Sequence, residues 1–277
     1  FSTGHGHLRE PNDIESYAAL ACIAIQSNQN DQHGGQSVPN FDYGMAPGVK
    51  KAYKRLYVTN LGKMLDFLED VEDGVERMKA LEGKIEHEYG VFPCMAWDNN
   101  YAELELAELK KIVPEAEAMK MQDRSRKFAD KEIRRKTYQA MEAFIHNLNT
   151  MHSRAGAQVP FSSINYGTDT SPEGRLVMES VMLATEAGLG NGETPIFPIQ
   201  IFKVKEGVNY NPEDPNYDLF KLACKVSAKR LFPNYVFLDS PFNLQYYKPG
   251  HPETEAAYMG CRTRVIGNVY DPSREIC

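Results

Sequence analysis

The stretch Pro195–Val204, which reads PIFPIQIFKV, indicates the fold class of this chain. It is apolar over most of its length, and such a continuous run is typical of a strand that is buried on both faces of a sheet. Short strands are also predicted at residues 159–167 and 235–239, and helices are predicted between the strands at 172–188 and 215–231. The order strand, helix, strand, helix, strand is typical of parallel strands joined by helical crossovers, so we predict an α/β fold.

Another strand is predicted at residues 264–268, after a loop that contains Cys261. Ligands of such folds bind near the carboxyl ends of the parallel strands. We therefore expect Asn165, Asp239 with Ser240, and the loop around Cys261 to be neighbours.

The first half of the chain predicts helices. One helix is expected to begin at Asn12 or Asp13, because Asn and Asp are favoured N-cap residues. Residues 38–43 are expected to be extended. Apolar side chains then recur at intervals of three and four residues, which predicts helical segments over residues 49–89 and 101–151.

Several residues are expected to mark helix ends. Gly62, Gly83 and Pro114 are expected to divide the long helical segments, because Gly and Pro are unfavourable in helix interiors. Ser171 is the expected cap of the helix that begins at Pro172.

The composition is that of an ordinary globular protein. The chain has 277 residues, of which 42% are hydrophobic and 25% charged, and its formal net charge is −7, which argues against nucleic acid as a partner. Its five cysteines include no CxxC pair and no cluster with histidine at zinc spacing, which favours free thiols in a reducing, cytoplasmic compartment. No apolar run is long enough to span a bilayer, so no membrane partner is expected.

Cys261 lies in the stretch Tyr258–Val265, which reads YMGCRTRV. Gly260 permits a tight backbone path before the cysteine, and Arg262 and Arg264 are suited to stabilise a thiolate or to bind an anion. This pattern is compatible with a reactive cysteine at a loop tip. The alternative, which spacing alone favours, is a small packed residue at the start of a strand, since free cysteine is usually buried.

Two further polar stretches have open interpretations. His5 and His7 lie in a glycine-rich loop, but two histidines without a third ligand are weak evidence for a metal site. The amide-rich residues 27–37 are suited to hydrogen-bond bases and sugars, or else they form a solvated turn.

Four stretches of the chain resemble the anaerobic (class III) ribonucleoside-triphosphate reductases, which are glycyl radical enzymes. These stretches are STGHGHLREP at residues 2–11, NDQHGGQSVPNFDY at 30–43, AFIHNLNTMHSRAGAQVPFSSINY at 143–166 and YMGCRTRV at 258–265. Their combination in this order is specific, and the resemblance runs through essentially the whole chain.

The resemblance implies reduction of ribonucleoside triphosphates to deoxyribonucleoside triphosphates for DNA synthesis. It also implies a ten-stranded α/β barrel around a finger loop, of which this chain would form a part. Cys261 would lie at the loop tip and become a thiyl radical that abstracts the ribose 3′ hydrogen, after which the 2′ hydroxyl leaves as water. The residues implied to bind substrate are Ser162, Ser163, Asn165, Gly260 and Thr263.

The same resemblance implies cofactors and partners. In the family, an iron–sulfur/S-adenosylmethionine activase installs a glycyl radical, deoxynucleotides or ATP act as effectors at a homodimer interface, and a zinc site lies in the C-terminal part. Gln26 and Lys54 are the residues implied to contact an effector. No metal site is expected within this chain.

The sequence departs from the family pattern because it contains no Arg-Val-x-Gly-Tyr segment, no four-cysteine zinc site and no ATP-cone. We therefore expect an internal piece that is inactive alone and forms a single partial catalytic barrel domain over residues 1–277. Its helix-rich effector and dimer region is expected at about 12–152, and its strand–helix barrel region at about 156–277.

Two other functions are alternatives. One is a related glycyl radical enzyme that acts on a small carbonyl or alcohol, although the amide-rich stretch and the Met-Gly-Cys-Arg-Thr motif argue against it. The other is a nucleotide-binding module without catalysis.

Overall fold

The fold is α/β, with a four-stranded parallel sheet and several long helices. The computed structural model describes residues 8–31, 34–69, 71–152, 158–260 and 263–265. The first half consists of α1 (Ile14–Asp31), β1 (Gln36–Val38), α2 (Phe41–Glu69), α3 (Gly74–Tyr89), α4 (Asn99–Leu109) and α5 (Glu115–Thr150). The second half consists of β2 (Ser162–Tyr166), α6 (Pro172–Ala187), β3 (Ile199–Val204), α7 (Tyr217–Arg230), β4 (Asn234–Phe237), α8 (Pro241–Leu244), a 3₁₀ turn (Pro252–Thr254), β5 (Ala257–Met259) and β6 (Thr263–Val265).

The four strands of the main sheet are parallel and lie in the order β1-β2-β3-β4. Ser163 pairs with Ser37 on one side and with Ile199 on the other, and Ile201 pairs with Asn234. Helices α6 and α7 connect β2 to β3 and β3 to β4. This arrangement confirms the predicted parallel strands with helical crossovers.

The last predicted strand belongs to a different sheet. β6 pairs antiparallel with β5, so that Met259 lies opposite Thr263. Only residues 260–262 separate the two strands, and a parallel connection needs a much longer crossover. The described part of the predicted strand at 264–268 is thus a strand, and it lies in an antiparallel pair outside the main sheet. Residues 266–268 lie outside the described residues.

Side chains of the main sheet alternate between its two faces. On one face, Tyr166 Oη donates to Gln200 Oε1 at 2.7 Å, Gln200 Nε2 donates to Thr185 Oγ1 of α6 at 2.7 Å, and Phe202 stacks on Phe220 of α7 at 6.1 Å between ring centroids. This face is therefore covered by helices. The opposite face carries Ser163, Asn165, Ile201 and Lys203, and it is covered by residues 255–260.

Two helix caps agree with the sequence analysis. Asp13 Oδ1 accepts a hydrogen bond from Ser16 N at 2.9 Å at the start of α1. Ser171 Oγ accepts one from Gly174 N at 3.1 Å at the start of α6, where Pro172 is the first helical residue. Both caps use local side-chain chemistry, which explains why the sequence predicts them.

The extended conformation predicted for residues 38–43 was wrong beyond Val38. α2 begins at Phe41 and contains Pro47 in its interior. Phe41 is fully buried against Phe144, with ring centroids 5.0 Å apart, and Asp42 is also fully buried. Tertiary contacts in the first turn therefore outweigh the helix-breaking effect of the proline.

The chain divides into two compact units. One contains the described residues up to 47 and from 137 onwards, and the other is Gly48–Lys136. The second unit is helical, with a core that includes Tyr53, Tyr57 and Tyr101. In the described parts of the chain, no helix combines the length and the apolar character that crossing a membrane requires.

Pro114 separates α4 from α5 as predicted, but Gly62 and Gly83 lie inside helices. A Cβ atom on Gly62 would lie 2.4 Å from Val75 Cα, so this glycine permits the start of α3 to approach α2 closely. Gly83 costs only about 1 kcal/mol relative to alanine, which α3 tolerates. The helices divide instead near residues 71–73.

Candidate functional site

Asn165 of β2 holds the backbone of β5 through both ends of its side-chain amide. Its Oδ1 accepts from Tyr258 N at 2.8 Å, and its Nδ2 donates to Tyr258 O at 3.0 Å. Nδ2 also lies 3.2 Å from Ser37 Oγ and 3.2 Å from Val38 O of β1. A single buried amide therefore connects β1, β2 and β5.

Ser37 supports the same contact, because its Oγ donates to Tyr258 O at 3.0 Å. Two residues along β5, Gly260 N donates to Ser163 Oγ at 2.8 Å. Gly260 has φ +60°, a left-handed conformation that favours glycine. The backbone immediately before Cys261 is thus attached to the sheet at two points.

A close approach at Gly35 completes the packing around this segment. A Cβ atom on Gly35 would lie 2.7 Å from Phe161 Cδ1 and 2.8 Å from Met259 Sδ. Any larger residue would displace one of these side chains, so Gly35 allows β5 to lie against the start of the sheet.

The structure brings together three of the expected site residues, Ser163, Asn165 and Gly260. Ser162 is buried on the opposite face of β2, where its Oγ donates to Pro160 O at 3.2 Å. Thr263 is exposed on β6. Cys261 lies outside the described residues, as do Arg262 and residues 1–7, which contain His5 and His7.

A cleft of about 590 Å³ opens beside Gly260 and β4. Its size is in the range of small-molecule sites. The residues that line it include Ile201, Asn234, Val236, Ser240, Asn243, Tyr258 and Gly260. Ser240 is thus near the loop, as expected, whereas the Asp239 carboxylate binds Lys205 Nζ at 3.0 Å and Glu206 N at 2.7 Å.

A buried ion pair lies next to this segment on the same face of the sheet. Lys203 Nζ donates to Glu255 Oε2 at 3.0 Å and to Asn40 Oδ1 at 2.5 Å, and Thr168 Oγ1 donates to Glu255 Oε2 at 2.7 Å. The sequence analysis missed this group. The signal was a lysine inside the otherwise apolar stretch of β3, since a buried lysine requires a partner.

Asp42 anchors the loop after β2. Its Oδ2 accepts from the backbone nitrogens of Gly167, Thr168 and Asp169 at 2.9, 3.2 and 3.1 Å. Burial raises the pKa of Asp42, while the nearby Lys203 charge acts in the opposite direction.

The two residues expected to contact an effector lie in different units. In α1, the Gln26 Nε2 atom is buried without a hydrogen-bond partner among the described residues. In the helical unit, Lys54 Nζ forms an ion pair with Glu86 Oε2 at 2.5 Å. Lys54 also lines a cavity of about 370 Å³ together with Lys51, Arg55 and Lys79.

Two buried carboxyl groups lie in the core of the helical unit. Glu105 accepts hydrogen bonds from Tyr101 Oη at 2.7 Å, Tyr57 Oη at 2.6 Å and Gln122 Nε2 at 2.6 Å. Glu82 is equally buried, and neither of its oxygens has a hydrogen-bond partner in the described chain. Burial first, and then the Glu105 charge, raise the pKa of Glu82 to about 9.

No group of three or more His, Cys, Asp or Glu side chains is placed to hold a metal ion within the described ranges.

The comparisons with known proteins agree with the resemblance. The family model described as anaerobic ribonucleoside-triphosphate reductase matches residues 1–275. The protein of that name from Escherichia coli (strain K12) is 32% identical over 264 residues, which are 95% of this chain and 28% of that protein. The Salmonella typhimurium protein of the same name is 33% identical over 264 residues, again 95% of this chain and 28% of that protein. The Enterobacteria phage T4 protein is 35% identical over 127 residues, 46% of this chain and 21% of that protein.

The chain thus spans about 28% of the length of the bacterial relatives that it matches almost throughout. The family match covers all four of the stretches that carry the resemblance. The chain belongs to the anaerobic ribonucleoside-triphosphate reductase family.

Proposed function

We propose that this chain takes part in the anaerobic reduction of ribonucleoside triphosphates and supplies the reactive thiol. The family match over residues 1–275 carries this proposal. The parallel sheet, with a backbone segment attached across one face just before Cys261, supports it. We also propose that the sheet is part of a larger barrel and that residues 260–262 belong to its finger loop.

The proposed chemistry begins with a hydrogen atom. Once the Cys261 thiol has lost its hydrogen atom, the sulfur takes the 3′ hydrogen of the ribose, so that an S–H bond forms and a C–H bond breaks. The 2′ C–O bond then breaks, and the hydroxyl leaves as water with one added proton. An external reductant supplies two electrons and a second proton, and the S–H hydrogen atom returns to C3′, which regenerates the sulfur radical. In this family a glycyl radical, installed by an iron–sulfur/S-adenosylmethionine activase, supplies the oxidising equivalent.

The substrate would bind in the cleft beside Gly260. Gly260 lines that cleft, which supports a substrate contact there. Ser163 has less support as a substrate contact, because its side chain is fully buried and accepts from Gly260 N. Thr263 follows on the exposed side of β6. Ser162 has little support as a substrate residue, because its side chain belongs to the helix-covered face.

We further propose that effector nucleotides bind through Gln26 and Lys54 in a homodimer. The Nε2 atom of Gln26 is buried and has no hydrogen-bond partner in the part of the chain that the structure describes, which supports a polar ligand there. The cluster of cationic side chains around Lys54 suits phosphate groups. For Lys54 to bind a phosphate, its ion pair with Glu86 would have to open.

Substitution Cys261→Ala in the product of the complete gene tests the proposal. We expect deoxynucleotide formation to be abolished under anaerobic assay, while the glycyl radical still forms and is seen by electron paramagnetic resonance. Cys224→Ala is the matched control, since Cys224 is an exposed cysteine on α7, and this variant should keep full turnover. Turnover by the Cys261 variant would overturn the proposal.

A further inference from the structure

We propose that Asn165 is a positioning residue, which fixes the backbone before Cys261 and does not bind the substrate itself. The inference rests on the proposed function for its catalytic consequence. The contact itself is a property of the fold and is tested separately below.

The hydrogen-bonding groups of Asn165 are already used within the protein. A side-chain amide has two N–H donors and one carbonyl oxygen. The two donors of Nδ2 face three acceptors at 3.0–3.2 Å, on Tyr258, Ser37 and Val38, and Oδ1 accepts from Tyr258 N. The side chain is also fully buried, so no donor is left to reach a ribose hydroxyl.

The side-chain amide of Asn165 hydrogen-bonds to β5 in the way that the backbone of a neighbouring strand would. Asn165 binds both the N–H and the C=O of Tyr258, as a peptide group of an adjacent strand would do. The other edge of β5 pairs with β6. The amide therefore provides the partner of the Tyr258 N–H and shares the Tyr258 C=O with Ser37 Oγ.

Ser163 sets the register of this contact. It lies two residues before Asn165 on the same face of β2 and accepts from Gly260 N, two residues after Tyr258. The two contacts are two residues apart on both segments, so they fix one register of β5 against β2. Gly260, which immediately precedes Cys261, is thus held by Ser163 directly and by Asn165 through Tyr258.

Accurate placement matters for hydrogen-atom transfer, because a displacement of about 1 Å can lower a rate by about 100-fold. A residue that acts through the backbone should therefore change kcat and leave substrate affinity intact. A residue that binds the substrate should raise KM.

The first test measures amide hydrogen exchange and needs no activity. In Asn165→Ala, we expect exchange at Tyr258 N–H to be about tenfold faster, which corresponds to the loss of a hydrogen bond. Ser163→Ala should accelerate Gly260 N–H in the same way, and it provides an independent result if the Asn165 variant does not fold. Asn191→Ala, an exposed amide in the loop after α6, is the control and should change neither site. Unchanged exchange at Tyr258 in a folded Asn165 variant would refute the proposal.

The second test uses steady-state kinetics of the product of the complete gene. Asn165→Ala should lower kcat by about 100-fold with KM for the ribonucleoside triphosphate within about twofold, and with an unchanged yield of glycyl radical. Ser37→Ala removes a second donor to Tyr258 O and should lower kcat in the same direction, although less. A tenfold rise in KM with kcat retained would instead assign Asn165 to substrate binding. If Cys261→Ala kept its turnover, the proposed function would fail, while the exchange experiment would still decide the positioning role.

Discussion

Lys203 Nζ lies 3.0 Å from Glu255 Oε2, and the two side chains are only 0% and 6% exposed. The pair connects the carboxyl end of β3 to the segment that leads into β5. Because both charges are withdrawn from water, each depends on the other for compensation. This dependence gives the first prediction.

Lys203→Met should lower the free energy of unfolding by about 3–5 kcal/mol, since it leaves the Glu255 carboxylate buried with only Thr168 as a described partner. Urea unfolding monitored by circular dichroism measures the loss. The surface pair of Lys127 and Asp123 is the control, and Lys127→Ala should have little effect because that pair is exposed. Equal effects of the two substitutions would contradict this account.

Gly167 gives a prediction about the backbone. Its φ is +144°, and a Cβ atom there would lie 2.5 Å from the carbonyl oxygen of Lys203. Gly167→Ala should therefore lower stability by about 1–3 kcal/mol. Gly190 is the control, because it has open space around it and Gly190→Ala should be nearly neutral. Thermal unfolding of the two variants measures the difference.

Glu82 gives a prediction about pH. Its pKa is about 9 in the folded protein against an ordinary value of 4.5, so between these values the folded state keeps a proton that the unfolded state releases. The free energy of unfolding should fall as pH rises through this window, by at most about 1.4 kcal/mol per pH unit. The stabilisation is complete below pH 4.5 and is lost as pH rises towards 9.

The glutamine side chain in Glu82→Gln cannot ionise. This substitution should therefore remove most of the fall in the free energy of unfolding between pH 4.5 and pH 9. Urea unfolding at pH 5 and pH 8 measures the difference, and the variant should be more stable than the parent at the higher pH. Glu76→Gln on the exposed face of α3 is the control and should keep the parental pH dependence. The same slope in the parent and the Glu82 variant would show that this carboxyl group does not titrate as described.

The cysteines provide a chemical prediction. Burial raises the pKa of Cys22 to about 11, an effect that a hydrogen bond with Asn147 only partly offsets. At pH 8 its thiol should react with iodoacetamide far more slowly than the exposed Cys224, because the thiolate is the nucleophile. Peptide mass spectrometry measures both rates, and urea should remove the difference. Comparable rates in the folded protein would contradict the burial of Cys22.

The sequence predicts the features that depend on local chemistry. The order of strands and helices in the second half follows from hydrophobic periodicity, and the caps at Asp13 and Ser171 follow from side-chain hydrogen bonding. The start of α2 at Phe41 cannot be predicted from local sequence, because it depends on the burial of Phe41 and Asp42 by residues that are distant in the chain.

The candidate site shows the same limit. The resemblance implied that Ser162, Ser163 and Asn165 share one role, but strand alternation places Ser162 on the other face from its two neighbours. The two-residue period of a strand is sufficient to predict that separation. The partners of Asn165 cannot be predicted in this way, since Ser37 and Tyr258 are distant from it in sequence and contact it only in the folded chain.

On β5 and the residue after it, the hydrogen bonds of Asn165 and Ser163 go to peptide groups alone, those of Tyr258 and Gly260. Every residue except proline has both peptide hydrogen-bonding groups, so Asn165 recognises the backbone at position 258 and not its side chain. The alignment of the segment is therefore encoded in β2. Exchange of Tyr258 for a residue other than proline would keep these backbone groups, whereas it would remove the hydrogen bond from Tyr258 Oη to Asn243 Oδ1 and change the lining of the neighbouring cleft.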